Sequence, residues 1–286
     1  MKKKNHRIYF VSLVWYLLFH LYSSAQIVHK LHTSALNGPD GITLDAQGNI
    51  YIANWGKDGK GRSVIKIEAG GKESIYLDSL SSPDGLAFDQ HGHLFVSCFA
   101  SGEIFKIGPD RKKLLFASGL DHPSDLKFDG KGNLYVSCFG NFDGKKIMRL
   151  DPSGKPEIFA DSLCVPLGLV FDGNKNLYVS NFSCGTIERI DKFGKRTIYA
   201  TLPNDPKALI QYLAFDNHGT LYCPSFTHNC IYSVGKEGQV SKLKLLTKDG
   251  NPYTANGPNS IYIRNGFMYF TEFNSNSICK LRLRYN

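Results

Sequence analysis

After residue 25 no segment is apolar enough to cross a bilayer, and no long helical period runs through the chain. The first absence argues against a helical membrane protein, and the second against a helix bundle. Three short catalytic signatures are also missing. There is no G-x-S-x-G elbow for a serine nucleophile, no H-E-x-x-H for a zinc helix, and no C-x-x-C for thiol redox work. Charge is not concentrated either. Lys and Arg number 34 against 25 Asp and Glu, a net +9, and four of the positive charges lie in residues 1–25, leaving +5. The remaining lysines are dispersed among turns with no basic-aromatic stripe, so a nucleic-acid partner is not expected. Cysteines number seven, so at least one is unpaired.

What is present begins with a basic stretch (Lys2, Lys3, Lys4, Arg7), an apolar run over 8–22, and small residues at Ser23, Ser24 and Ala25. This pattern predicts a cleavable secretory signal over 1–25, hence a secreted or periplasmic protein. No cysteine stands just after the cleavage point, so no lipid anchor is expected. The remaining residues, 26–286, fit a single domain.

The main signal is a repeat. Six aligned starts occur: GPDGITLDAQGNIYIANW, SPDGLAFDQHGHLFVSCF, HPSDLKFDGKGNLYVSCF, VPLGLVFDGNKNLYVSNF, ALIQYLAFDNHGTLYCPSF and GPNSIYIRNGFMYFTEF. Equivalent positions fall at Gly41, Gly85, Asp125, Gly168, Tyr212 and Ser260, in steps of 44, 40, 43, 44 and 48 residues. Each unit reads as four short strands. Strand A is of the type GLAFD and strand B of the type HLFVSCF; strand C resembles EIFKI and strand D resembles TIYATL. Such units at this period predict an all-β, six-bladed β-propeller with four antiparallel strands per blade. The last unit stops after strand C, whereas 27–35 (IVHKLHTSA) is a spare strand before the first unit. It is expected to complete the last blade, giving 24 strands and a closed ring.

The pattern P-D-G-L-A-F-D-x-x-G-x-L-[YF]-V-S resembles NHL repeats and is similar to the senescence-marker-protein/gluconolactonase family. The resemblance runs over the whole chain after the leader and implies a six-bladed propeller. It also implies that a metal-binding acid sits in the P-D-G motif. Asp84 of SPDGLAFD matches best, Asp40 of GPDG is next, and Asn259 offers an amide. The sequence departs from the family in having Asp40 where a glutamate is usual and Ser260 after Asn259.

The residues themselves point to the face where strand A starts and strand B ends. The residue before each aligned position is Asp40, Asp84, Ser124, Leu167, Gln211 or Asn259. Turned inward, these form a polar arc of hard oxygen donors suited to calcium, with Asp40, Asp84 and Asn259 as ligands. A plainer role for the aspartates is bonding backbone amides in Pro-Asp-Gly turns. The ends of strand B form a second ring: Asn54-Trp55, Cys98-Phe99, Cys138-Phe139, Asn181-Phe182, Ser225-Phe226 and Glu272-Phe273. Its invariably aromatic member reads chiefly as packing between blades. Glu272 is the ring's one acid and, with Asp84, the candidate general base. Asn54, Trp55, Gln211 and Tyr253 are candidate ligand-binding residues. The loops 56–63 and 247–258 are expected to flank the mouth, and His122 and His228 to lie on the same face.

Two functions follow. One is a secreted monomer that binds a small molecule or protein at the channel mouth, with calcium. The other is a calcium-dependent hydrolase of lactones or related esters, with a lyase as a weaker variant. The A–B turns, such as DAQGN and DGKGN, lack the spacing of a calcium loop and read as hairpins. Cys98 and Cys138, at equivalent sites in neighbouring blades, are expected to stay apart; Cys223 and Cys230, flanking one hairpin, are the pair to check for a bond.

Overall fold

The computed structural model describes residues 25–31, 35–202 and 208–284. The predicted leader, apart from Ala25, lies outside the described residues, as do 32–34 of the predicted closing strand. The described chain folds into six sheets and contains no helix. The first blade comprises Pro39–Leu44, Ile50–Asn54, Ser63–Ile67 and Glu73–Leu77, hydrogen-bonded in chain order from the axis outward. The next four blades repeat that order, and the innermost strand of blade six packs on that of blade one. No helix among the described residues is long and apolar enough to cross a membrane.

The ring closes as the spare strand suggested. Gln26–Leu31 runs antiparallel to Ser277–Arg282, with Val28 opposite Leu281 and Leu31 opposite Ile278. One element was not foreseen. Leu245–Leu246 adds a parallel edge to Gln26 and Ile27, so blade six has five strands and the described chain 25.

Blades adhere through a repeated aromatic contact. The strand B ring packs edge-on against the strand A ring of the next blade: Tyr51 on Phe88, Phe95 on Phe128, Tyr135 on Phe171, and Tyr178 on Phe215, at 4.9–5.1 Å. Both faces of strand B are therefore covered, which is why those strands read as continuous apolar runs. The A–B turns are hairpin turns. In each of the first five blades an aspartate (Asp45, Asp89, Asp129, Asp172, Asp216) accepts backbone N–H bonds from the second and fourth residues after it.

The start of the inner strand carries a β-bulge in five blades. Pairing jumps from Pro39–Asn54 to Ile42–Ile52, and likewise at Pro83/Leu86, Pro123/Leu126, Pro166/Leu169 and Pro258/Ile261. In blade five Gln211 holds the equivalent place, between an isolated Ile210–Ser225 bridge and the Ala214–Tyr222 pair. Two residues there face one on strand B, and the bulge turns the first of them toward the axis. A strand B hydroxyl holds the bulge to its neighbour. Ser97 Oγ accepts from Gly85 N–H and donates to the Ser124 carbonyl, both at 2.7 Å. Ser180 does the same between Gly168 and Gln211, and Thr271 between Ser260 and Asp40.

The cysteines depart from expectation. Cys223 and Cys230 are free and buried, because the register sets Cys223 opposite Tyr232 and Cys230 opposite Ser225. That diagonal relation separates Cα atoms by roughly 7–8 Å, beyond what a disulfide usually spans. The bond forms instead between Cys164 and Cys184, with Cα atoms 6.0 Å apart and a sequence separation of 20. Cys98 and Cys138 are free and buried, as their blade separation predicted.

Candidate site at the channel mouth

The bulge residues and the strand B aromatics meet in one cavity of about 490 Å³ at the mouth of the central channel. All six bulge residues (Asp40, Asp84, Ser124, Leu167, Gln211, Asn259) line it. So do all six aromatics (Trp55, Phe99, Phe139, Phe182, Phe226, Phe273). The aromatics form a collar in which neighbours touch at 5.1–6.1 Å, as in Phe139–Phe182 and Trp55–Phe273. The collar thus packs blade to blade, as the sixfold pattern suggested, and also walls the cavity. Between Phe182 and Phe226 the wall is continued by Leu209.

The Pro-x-Gly form of the motif has a steric cause. A Cβ on Gly41, Gly85 or Gly168 would collide with the backbone carbonyl of the bulge residue in the next blade. Blades three, five and six carry Asp125, Tyr212 and Ser260 at this slot instead. Tyr212 is the consequential one. Its hydroxyl reaches across the channel and donates to Asp84 Oδ1, which also accepts from Ser124 Oγ at 3.2 Å. Tyr212 also lines a second cavity of about 390 Å³ at the opposite end of the channel, so its ring lies between the two. Asp125, in that second cavity, is fully engaged by Lys127 Nζ (2.7 Å) and the amides of Leu126 and Leu169.

On the floor of the mouth, Asp84 is 5% exposed and Asn259 6%. Burial pushes the Asp84 carboxyl up to about 7, against the hydrogen bonds from Tyr212 and Ser124 that favour its anion. Asp40 is held well above the usual carboxylate range by burial and by the neighbouring Asp84 charge, while Asn259 and Tyr212 oppose the rise. Burial, followed by the Asp84 and Asp40 charges, keeps the Tyr212 phenol protonated and thus a donor. Two buried oxygens on this floor, Asp40 Oδ1 and Asn259 Oδ1, have no hydrogen-bond partner. Buried acceptors are seldom left so, and here both belong to residues that line the cavity.

Five of the residues singled out from sequence come together here: Asp40, Asp84, Asn259, Trp55 and Gln211. Glu272, Asn54 and Tyr253 do not line the cavity. Strand alternation sends Glu272 and Asn54 to the opposite side from the collar aromatics that follow them. Glu272 is 1% exposed and saturated: Oε1 accepts from Tyr253 Oη (2.7 Å) and Asn256 N–H (3.0 Å), and Oε2 from Ser275 (2.7 Å) and Ser277 (3.0 Å). Lys30 Nζ of the closing strand lies 3.5 Å away. Burial raises this carboxyl, but the four hydrogen bonds outweigh it and hold Glu272 below the usual range. It is a fastener of blade six. Asn54 likewise ties Asn37 N–H, the Ala35 carbonyl and Ser63.

The two loops expected to flank the mouth lie beside the collar without lining the cavity. In the blade one loop 56–63, Gly59 lies against the Trp55 ring, and Lys57 Nζ donates to the Asn274 carbonyl of blade six at 2.9 Å. The connection 247–258 runs from the Leu245 carbonyl, which accepts from Tyr253 N–H, to Gly257 against the Phe226 ring. A loop of blade three lines the cavity itself, through Asn141 and Phe142. His122 bonds Asp121 and abuts Phe99 at 4.8 Å, and His228 contacts Tyr232; neither histidine lines the cavity. Tyr212 and the blade three loop were missed from sequence. The signal for Tyr212 was its place in a slot otherwise filled by small residues or Asp.

The fold and mouth define a six-bladed propeller with an acidic, amide-bearing floor under an aromatic collar. Solved structures share the architecture. A gluconolactonase from Xanthomonas campestris superposes with a TM-score of 0.74 at 18% identity, covering 92% of each chain. Virginiamycin B lyase from Staphylococcus aureus gives 0.69 at 16% identity, over 90% of this chain and 99% of that one. A Bacteroides thetaiotaomicron protein of unknown function gives 0.73 at 15% identity, over 90% and 76%. No protein-family model matches the sequence, and no curated protein matches it. At these identities the likeness is one of fold.

Proposed function

We propose that this chain is an exported propeller that binds a small molecule at its channel mouth, with a divalent cation on the floor of the site. The observation that carries the reading is the pair of unpartnered buried oxygens, Asp40 Oδ1 and Asn259 Oδ1, beside a second carboxylate, Asp84. The donor set fits a hard cation such as calcium, which takes roughly six to eight oxygens, the rest coming from water or ligand. Among the described residues no group of three or more His, Cys, Asp or Glu side chains could hold a metal, so the Asn259 amide is essential to this assignment. Asp40, Asp84 and Asn259 would hold the ion, and Tyr212 and Ser124 would orient Asp84. A bound cation supplies positive charge that polarises a ligand carbonyl. The Cys164–Cys184 bond supports export, since such bonds persist chiefly in oxidising compartments.

A second reading, hydrolysis of a lactone or related ester, is favoured by Asp84. A carboxyl titrating at about 7 is suited to exchanging a proton with water near neutral pH. The likeness to a gluconolactonase fold gives it further support. The test is thermal unfolding of the chain and of Asp84→Asn, each with calcium and with chelator. A calcium-dependent rise in midpoint that Asp84→Asn abolishes is the expected result. A midpoint indifferent to calcium removes the cation. Turnover of a lactone panel then separates enzyme from binder.

A further inference from the structure

We infer that the ligand of this mouth is a largely apolar molecule, ring-bearing or long-chained with one carbonyl head, and not a polyol such as a sugar lactone. The inference rests on the ligand-site reading above and names its chemical class. Polar groups lie on the floor and, through Asn141, at one point of the rim; the wall between is the aromatic collar with Leu167 and Leu209. A sugar lactone carries a hydroxyl on nearly every carbon. Each hydroxyl brought past the collar would leave water without a partner, which weakens binding. An apolar body gains at the same wall, while a single carbonyl head reaches the floor.

The blade three loop adds a built element to that wall. Phe142 is 64% exposed, yet its backbone lies in the left-handed region at φ 65°, a costly conformation for an aromatic residue. The loop is wound tightly enough to fix it there. Gly144 N–H donates to the Phe139 carbonyl at 2.9 Å, and a Cβ on Gly144 would collide with the Cys138 carbonyl. The Phe142 ring stands edge-on to Phe139 at 5.1 Å and tilted to Phe182 at 6.3 Å, extending the collar outward on one side. An exposed aromatic held at a strained position over an apolar mouth is a preformed contact for an apolar ligand.

Trp55 in the collar supplies the reporter, because the one other tryptophan of the sequence, Trp15, lies in the predicted leader and the exported chain carries Trp55 alone. In that chain, dihydrocoumarin, γ-dodecalactone and glucono-δ-lactone are titrated in calcium. The apolar lactones are expected to bind at least tenfold tighter than the sugar lactone. Phe142→Ala and Phe142→Gly are each expected to weaken them about fivefold or more, although Phe142→Gly relieves the backbone and raises the thermal midpoint. Phe193→Ala, which alters an 84% exposed ring outside the cavity lining, is the control and should change nothing. Glucono-δ-lactone binding as tightly as the others, or affinities unmoved by both Phe142 variants, overturns the apolar class while leaving the mouth a ligand site. Failure of all three lactones to bind, with the calcium shift present, overturns it too and leaves the cation reading standing.

Discussion

At the scale of single residues, the mouth is an electrostatic compromise. Asp84 keeps its proton to about pH 7 in the folded chain, whereas an unfolded aspartate releases it near 3.9. The folded state therefore binds the proton more tightly, and stability falls as pH rises from about 4 to about 7. Asp40 is shifted in the same direction. In chelator, Asp84→Asn keeps an oxygen for Tyr212 and Ser124 but removes this ionisation. Its thermal midpoint should exceed that of the unmodified chain above about pH 7 and converge with it near pH 4. A variant midpoint below the parent's at the higher pH would show that ionised Asp84 stabilises the fold. This pair was legible in the sequence because Pro-Asp-Gly recurs at a fixed place in the repeat. Tyr212 was not, since a tyrosine in a glycine slot reads as decay of the repeat until its hydroxyl is placed on Asp84. Glu272 was misplaced for a related reason. Its residue type suggested chemistry, but the alternation of strand B turns it away from the channel.

At the scale of elements, the recurring unit is the bulge with its hydroxyl tie. V-S-C, V-S-N and F-T-E at the ends of strand B look like conservative variations, but their Ser or Thr bridges two blades. Removing one strands a buried amide and leaves a buried carbonyl short of a partner, which costs about 1–3 kcal/mol. Ser180→Ala should therefore lower stability by about that amount, measured by denaturant unfolding. Ser233→Ala, on the third strand of blade five with a weaker 3.3 Å bond to the Ser241 carbonyl, should cost far less. Equal losses would refute the role of the tie. Strand types and turns were legible here because each is local: aspartates in A–B turns, paired apolar runs, glycines after them. The disulfide was not, because Cys164 and Cys184 sit in two loops outside the repeat register, and their approach depends on how blade four is assembled.

At the scale of the whole molecule, the ring is held shut by six residues from the beginning of the described chain. In blades one to four the outermost strand is a true edge, and apolar side chains stand exposed on it: Ile75, Leu115, Ile158 and Ile198 at 55–59%. The closing strand Gln26–Leu31 differs in being paired on both sides, to Ser277–Arg282 and to Leu245–Leu246. Val28 on this strand is 5% exposed and packs in the core cluster that includes Leu245 and Leu281. Gln26 adds a reciprocal pair of bonds to the backbone of Arg284, at 3.1 and 2.9 Å, and Lys30 reaches Glu272. The chain ends are thereby joined across the sequence, so unfolding of one blade cannot proceed without opening the ring. A charge placed at Val28 would be buried and unpaired, a change worth several kcal/mol, whereas the same charge at Leu115 meets solvent. Val28→Asp should lower the thermal midpoint sharply and broaden the transition as blade six frays ahead of the rest, and Leu115→Asp should leave both midpoint and width nearly unchanged. Calorimetry of the two variants separates closure from ordinary edge packing: comparable effects would mean that Gln26–Leu31 is one outer strand among six and does not act as the fastening of the ring.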